Sequence, residues 1–169
     1  MHVAENLHPV GISEMVVSAD PADVLVAYGL GSCVAICLYD PLAGVGGMLH
    51  ALLPTLRNNN RTNTPTKFVE QGLPLLVKAL VALGANPARL IAHLCGGACV
   101  LTAPSFNGTL NIGQLNVQAA RKTLQVANLK LTGQATGGDK GRTVRLYLVN
   151  GQVTVKTLGQ PERVLVGER

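Results

Sequence analysis

Residues 24–54 read VLVAYGLGSCVAICLYDPLAGVGGMLHALLP, and this segment gives the clearest prediction of the fold. It holds three short apolar runs rich in β-branched residues, separated by the glycine-containing segment 29–32 and by the turn at Asp40-Pro41. Apolar runs bounded by Gly, Pro and Asp are typical of strands. The pattern predicts three neighbouring antiparallel strands joined by tight turns. Their expected bounds are Val24–Tyr28, Val34–Tyr39 and Val45–Leu53.

The sequence of residues 55–84 predicts a loop followed by a helix. Residues 55–64 are polar, Asn-rich and aperiodic, so we expect a mobile loop that lies near His50 and shapes a substrate cleft. Thr64 followed by Pro65 is typical of a helix start, and Gly84 is expected to end that helix.

A strand, a second helix and a hairpin complete the pattern. Leu90–Leu94 is an apolar run that predicts a buried strand, and Asn111 is suited to cap the next helix. Asn150-Gly151 is a two-residue hairpin signal between the alternating segments 142–149 and 152–158. The sequence therefore predicts an α/β fold with largely antiparallel strands and two helices.

Length and composition favour one domain over residues 1–169. The chain is 47% hydrophobic and 14% charged, and no Pro/Gly/Ser-rich block divides it. The N-terminus lacks the pattern of a secretion signal, and no apolar run is long enough to span a membrane. We therefore expect a cytoplasmic protein without membrane insertion, whose four cysteines are reduced.

Charge is distributed unevenly along the chain. Residues 1–60 contain one basic and five acidic residues, a net charge of −4, whereas residues 61–169 contain thirteen basic and four acidic residues, a net charge of +9. A basic half attracts nucleic acid or an acidic protein surface, although a solvated basic face is the commoner explanation. Because aromatic residues are only 3% of the chain and Trp is absent, we expect no nucleic-acid partner.

Cys33 and His50 are the candidates for chemistry. Cys33 starts a predicted strand after a glycine turn, where the N–H groups around Gly31 and Ser32 are suited to bind an oxyanion. If the second and third strands pair across the turn at Asp40, Cys33 and His50 lie nearly opposite each other. A lone Cys and a lone His are more often core residues, so the pair alone is weak evidence.

The sequence motifs around Cys33 and His50 are more specific evidence than the pair itself. The chain contains GLGSCVA at 29–35, Asp40-Pro41, GVG at 44–46 and His50 before Leu53-Pro54, and further short motifs follow in order. These further motifs are Lys67-Phe68, GGA at 96–98, NIG at 111–113 with Asn116, TGG at 136–138 and Gly141-Arg142. Over about residues 9–156 the sequence resembles the chemoreceptor glutamine deamidase (CheD) family.

This resemblance implies a fold and an activity. The implied fold is a layered α/β-β domain related to the catalytic domains of deamidating toxins. The implied reaction is hydrolysis of a glutamine side chain on the cytoplasmic helices of a chemoreceptor, with Cys33 as nucleophile and His50 as base. A CheC-type phosphatase is a possible further partner, and no cofactor is required.

Ala27 departs from the family pattern. It stands where the family carries a Thr that orients the catalytic His, so the resemblance predicts slower turnover, by about tenfold for the loss of one hydrogen bond of ~1 kcal/mol. Ala27→Thr is then expected to raise turnover. The same departure supports an alternative, a catalytically weakened binding or regulatory protein that keeps the fold.

The four cysteines allow one more interpretation. Cys33, Cys37, Cys95 and Cys99 form two C-x₃-C pairs, a spacing that suggests a structural metal site. Residues four apart on a strand are separated by about 13 Å, which is too far for two ligands of one zinc ion. We therefore expect Cys37 and also His93 to be core residues.

Overall fold

The computed structural model describes residues 4–57, 60–100 and 111–167. These ranges contain ten strands, two α-helices and 3₁₀ turns at Pro65–Lys67 and Pro87–Arg89. The strands are β1 (Asn6–Pro9), β2 (Glu14–Ser18), β3 (Asp23–Leu30), β4 (Val34–Asp40), β5 (Val45–Ala51), β6 (Ile91–Gly96), β7 (Lys130–Thr136), β8 (Arg142–Tyr147), β9 (Val153–Thr157) and β10 (Arg163–Val164). The helices are α1 (Val69–Ala82) and α2 (Ile112–Val126).

The strands form two five-stranded sheets. One has the order β1-β3-β8-β9-β10 and the other the order β2-β5-β4-β6-β7. Only the β1–β3 and β6–β7 pairs are parallel among these described strands. The predicted predominance of antiparallel pairing is therefore confirmed.

Side chains of β4 show how the layers stack. Val34, Ile36 and Leu38 point toward α1 and α2, in a core that also contains Leu73 and Leu124. Ala35 and Cys37, the alternate residues of β4, pack in a second core with residues of the other sheet, together with Cys33, which immediately precedes the strand. Because successive side chains of a strand point to opposite faces, β4 is buried on both faces. The order helices, sheet, sheet confirms the layered α/β-β fold.

The predicted adjacency of the first two strands in residues 24–54 is wrong. β3 pairs with β1 and β8, whereas β4 lies in the other sheet between β5 and β6. The segment between β3 and β4 therefore joins two sheets instead of closing a hairpin. Both strands are almost entirely buried, so each was an equally good candidate for either sheet, and a short glycine-containing connection is compatible with both arrangements.

The predicted hairpin of β4 and β5 is confirmed, and Asp40 stabilises its turn. One carboxylate oxygen of Asp40 accepts from the N–H of Leu42 at 3.0 Å, and the other accepts from the N–H of Asn86 at 2.8 Å. The guanidinium of Arg89 contacts both oxygens, at 3.0 and 2.8 Å, and holds the pKa of Asp40 well below its usual range. This fixes the register of the strand that carries His50.

Both helices lie where the sequence predicts them, except that the first helix starts later. The predicted start of the first helix at Thr64 is wrong, because Pro65–Lys67 form a 3₁₀ turn and extended Phe68 precedes α1. Proline suits the first position of a 3₁₀ turn as well as of an α-helix, so the signal was ambiguous. The side chain of Asn111 accepts from the N–H of Gln114 at 3.1 Å and caps α2 as predicted.

The β-rich remainder was predicted in part. The hairpin of β8 and β9 is confirmed, whereas β1, β2, β7 and β10 had no specific prediction. Part of the predicted loop 55–64 is irregular, as expected, and residues 58 and 59 lie outside the described residues. In the described ranges, no helix is both long enough and apolar enough to cross a membrane.

Candidate active site

Cys33 lies immediately before β4, on the face of the strand that packs against the other sheet. Only 7% of its surface is exposed, and burial raises the pKa of the thiol above its usual value of 9.0. The resting side chain is therefore a protonated thiol. A base is needed to convert it to the nucleophilic thiolate at neutral pH.

His50 lies on the same face as Cys33. In the β4–β5 ladder His50 pairs with Ala35, two residues beyond Cys33, so Cys33 and His50 are diagonal neighbours. Diagonal neighbours on one face of a sheet are within reach of long or aromatic side chains. Within the described ranges no hydrogen bond joins the thiol and the imidazole. Catalytic hydrogen bonds are commonly longer in a ligand-free site and tighten when substrate binds.

The imidazole of His50 is oriented by a backbone carbonyl. Its Nδ1 lies 2.8 Å from the carbonyl oxygen of Val10. A carbonyl only accepts, so Nδ1 carries the proton and Nε2 has a lone pair available. Burial lowers the pKa of His50 below 6.5, and the ring is therefore neutral at pH 7. The site thus pairs a thiol with a neutral imidazole held in the tautomer that a general base requires.

The Val10 carbonyl is held in position by the strands around it. Val10 follows β1 and is 2% exposed, and its N–H donates to the carbonyl of Val26 at 2.8 Å. The N–H of Ser13 donates to the carbonyl of His50, also at 2.8 Å, so the segment after Val10 is tied to β5 as well. The orienting group is therefore part of the rigid scaffold.

Ala27 lies in the core beside this arrangement. Its side chain is fully buried, whereas Tyr28 is 51% exposed and points away from the core, as predicted for the next residue on a strand. Since the Val10 carbonyl already bonds to Nδ1 of His50, an alanine at position 27 leaves the ring with an orienting partner. No pattern in the sequence identifies the Val10 carbonyl as that partner.

The carbonyls of Gly31, Ser32 and Cys33 each accept a hydrogen bond. The carbonyl of Gly31 accepts from the N–H of Ala98, and that of Cys33 accepts from the N–H of Gly97, both at 2.8 Å. The carbonyl of Ser32 accepts from the side chain of Asn116, also at 2.8 Å. In the described part of the chain, the N–H groups of Gly31 and Ser32 donate to no other group. These two N–H groups are suited to stabilise an oxyanion.

Asn116 connects the two halves of the site. This fully buried side chain on α2 donates from Nδ2 to the carbonyl of Ser32 and, at 3.0 Å, to the carbonyl of Leu52 just after β5. It therefore holds the start of the Cys33 strand against the end of the His50 strand. Asn116 was not predicted as a site residue, although a polar residue on the otherwise apolar inner face of a helix is a usable signal.

Gly96 makes the close approach to the Cys33 turn possible. Its φ is +108°, and a Cβ at this position would overlap the carbonyl oxygen of Cys33. Only glycine fits such a position without moving the backbone. The Gly-Gly pair at 96–97 is therefore part of the support of the turn that carries Cys33.

Comparison with known proteins decides the family. A family model described as "CheD chemotactic sensory transduction" matches residues 52–157, more than half of the chain. A protein of Desulforamulus reducens named "Probable chemoreceptor glutamine deamidase CheD" is 39% identical over 156 residues, which cover 92% of this chain and 93% of that protein. A protein of the same name from Thermococcus kodakarensis is 44% identical over 147 residues, 87% of this chain and 90% of the relative. The chain belongs to the CheD family.

The matches differ in how they cover the candidate site. The CheD family model begins at residue 52 and does not include Cys33 or His50. The match to the Desulforamulus reducens protein covers 92% of the chain and therefore extends across both positions.

Among solved structures, the hypothetical protein YfiH of Bacillus licheniformis aligns at 15% identity with a TM-score of 0.45, over 80% of this chain and 60% of that one.

The other cysteines of this CheD chain differ from Cys33 in their surroundings. Cys37 and Cys95 are buried in the core between the sheets, and burial raises the pKa of both thiols, for Cys95 to about 12. The predictions that Cys37 and His93 are core residues are confirmed. In the ranges given above, no three His, Cys, Asp or Glu side chains are grouped so as to hold a metal ion.

Proposed function

We propose that residues 1–169 form one amidohydrolase domain that converts glutamine side chains of chemoreceptors to glutamate. Relatives named as probable chemoreceptor glutamine deamidases support this assignment, at about 40% identity over most of the chain. The substrates are glutamines on the cytoplasmic helices of a receptor, and the protein acts in the cytoplasm. A CheC-type phosphatase is proposed as a second partner.

The observation that carries the proposal is the bond between Nδ1 of His50 and the Val10 carbonyl. It leaves Nε2 as the basic nitrogen on the face shared with Cys33. A cysteine whose pKa is raised by burial needs such a base, and His50 is the titratable side chain diagonal to it in the ladder.

In the first half-reaction, Nε2 of His50 takes the proton of the Cys33 thiol as the sulfur attacks the amide carbon. The carbonyl oxygen becomes an oxyanion, which the N–H groups of Gly31 and Ser32 stabilise. His50 then gives its proton to the amide nitrogen, the C–N bond breaks, and ammonia leaves. The product of this step is a thioester between Cys33 and the former glutamine side chain.

In the second half-reaction, His50 takes a proton from a water molecule that attacks the thioester carbon. The C–S bond breaks, the sulfur recovers a proton from His50, and a glutamate side chain is released. The sum is one amide and one water converted to one carboxylic acid and one ammonia. Every proton transfer in this scheme uses His50 alone.

The alternative of a catalytically weakened binding protein was motivated by Ala27. The bond between Val10 and His50 weakens that motive, because the function expected of a hydroxyl at position 27 is performed by a backbone carbonyl. We therefore favour an active enzyme.

The test is intact-mass measurement of a receptor cytoplasmic fragment incubated with the protein, together with assay of released ammonia. Wild type should raise the mass by the difference between an amide and an acid and release an equal amount of ammonia. Cys33→Ala should abolish both signals. Cys37→Ala, a matched loss of a core thiol, should retain them. Full conversion by a folded Cys33→Ala variant would overturn the proposal.

A further inference from the structure

A second feature lies along the same edge of the sheets as Cys33. Side chains near the ends of β7 and β8, together with α2 and β10, line an open cleft of about 520 Å³. We call it the basic cleft, and its main lining residues are Arg121, Thr136, Asp139, Lys140, Arg142 and Arg163. The four cations outnumber the one acidic residue of the lining, so the cleft has a strong positive charge.

The positive charge of the basic cleft is not neutralised within the described chain. The ion pairs recorded there use Arg89, Arg145 and His8, and none uses a cation of the cleft. Arg142 donates from Nη1 to the carbonyl of Gly137 at 2.8 Å, but its Nε is buried without a hydrogen-bond partner among the described residues. Because the four cations of the lining form no ion pair among the described residues, the net positive charge of the cleft favours an external anion as its partner.

Arg121 is held in a fixed orientation by neutral groups. Its Nε and Nη2 donate to the side-chain oxygen of Gln134 at 3.1 and 2.8 Å, and Nη2 also lies 3.3 Å from the hydroxyl of Thr136. Neutral acceptors orient the guanidinium without cancelling its charge. A planar, oriented guanidinium is well suited to carboxylates.

The register of the second sheet gives the distance from the basic cleft to the nucleophile. Val34, the residue after Cys33, pairs with Gly96, and Gly96 pairs with Thr136 at the cleft. Adjacent strands are about 4.8 Å apart, so these two steps separate Val34 from Thr136 by roughly 10 Å. Two turns of an α-helix span about the same distance, roughly 11 Å.

We propose that the basic cleft binds carboxylate side chains of the same helical protein segment that presents a glutamine to Cys33. This inference rests on the proposed function and adds a substrate preference to it. Glutamines with Glu or Asp two helical turns away, on the same face, are the preferred substrates. The described lining of the cleft contains no aromatic side chain, so a nucleotide base would find no stacking partner there.

The test uses helical peptides with one central glutamine. One peptide carries Glu at both positions seven residues from the glutamine, on the same face, and its matched control carries Glu nine residues away, on the opposite face. At low salt, kcat/KM for ammonia release should be roughly fivefold higher for the seven-residue spacing, the effect expected of partly exposed ion pairs. High salt should reduce this preference.

Charge reversal identifies the cleft as the source of the preference. The double variant Lys140→Glu/Arg163→Glu should lose the preference, whereas Lys78→Glu, an exposed reversal on α1 outside the cleft, should keep it. Equal rates for the two spacings in wild type, or a preference that persists in the double variant, would overturn the inference.

Peptide binding to Cys33→Ala, measured by fluorescence anisotropy, separates this inference from the proposed function. If no peptide is deamidated but the seven-residue spacing still binds more tightly through Lys140 and Arg163, the proposed reaction fails and the binding cleft stands. If both peptides are deamidated at equal rates and bind equally, the reaction stands and the cleft proposal fails.

Discussion

Asn116→Ala tests whether the two strands of the site are held together by one side chain. The change removes two hydrogen bonds, from Nδ2 to the carbonyls of Ser32 and Leu52, and leaves both carbonyls without that donor. At about 1 kcal/mol for each bond, plus the cost of leaving partly buried acceptors unpaired, the free energy of unfolding should fall by roughly 2–3 kcal/mol. Because the Cys33 turn also loses an anchor, kcat should fall by about tenfold, which corresponds to ~1.4 kcal/mol in the barrier.

The matched control for this prediction is Asn111→Ala on the same helix. Asn111 caps α2 through the N–H of Gln114 and, among the described residues, forms no hydrogen bond with the site, so its loss should cost about 1 kcal/mol of stability and leave kcat unchanged. Urea denaturation gives the two free energies of unfolding, and ammonia release gives kcat. If Asn116→Ala is no less stable than Asn111→Ala, or keeps the wild-type kcat, Asn116 does not position the nucleophile.

Three further predictions concern His50 and its surroundings. Ala27→Thr should leave ammonia release within about twofold of wild type, because the Val10 carbonyl already bonds to Nδ1 of His50. The same change should lower the free energy of unfolding by about 1–3 kcal/mol, because the added atoms crowd a filled core. A tenfold gain in turnover would contradict this and support the expectation from the sequence. The pH profile of kcat/KM should fall on its acid side with an apparent pKa below 6.5, because burial lowers the pKa of His50 and the base must be neutral, and an acid limb above pH 6.5 would contradict this. The free energy of unfolding should also decline as pH falls below 6.5, because burial lowers the pKa values of His50 and His93 and both are protonated more readily in the unfolded chain. Denaturation at pH 7.5 and 5.5 measures this loss, and His93→Gln should reduce it. Equal stability at the two pH values would contradict the prediction.

The parts of the fold that the sequence predicted are those fixed by neighbouring residues. The β4–β5 hairpin was predictable because Asp40-Pro41 marks its turn, and the β8–β9 hairpin because Asn150-Gly151 does so. The sheet to which β3 belongs was not predictable in this way. Its partner β8 lies more than a hundred residues further along the chain, and no local pattern encodes that pairing.

The residues of the candidate site also fall into a group predictable from nearby sequence and a group that is not. Cys33 and His50 belong to one hairpin, so their common face followed from counting residues across the turn. Val10 acts through a backbone carbonyl, which every residue type has, and its contact with His50 spans 40 residues. Asn116 is 84 residues from Ser32, and only the packing of α2 on the sheet brings the two together.

In the proposed reaction, Cys33 carries the acyl group of the substrate as a thioester. Hydroxylamine added to the reaction tests this, because it competes with water for a thioester and would convert the target glutamine of a receptor fragment to a hydroxamate. Intact-mass measurement should find hydroxamate at the expense of glutamate, with ammonia release not slowed, and neither product should form with Cys33→Ala. Glutamate or hydroxamate formed at the wild-type rate by folded Cys33→Ala would contradict the proposed reaction.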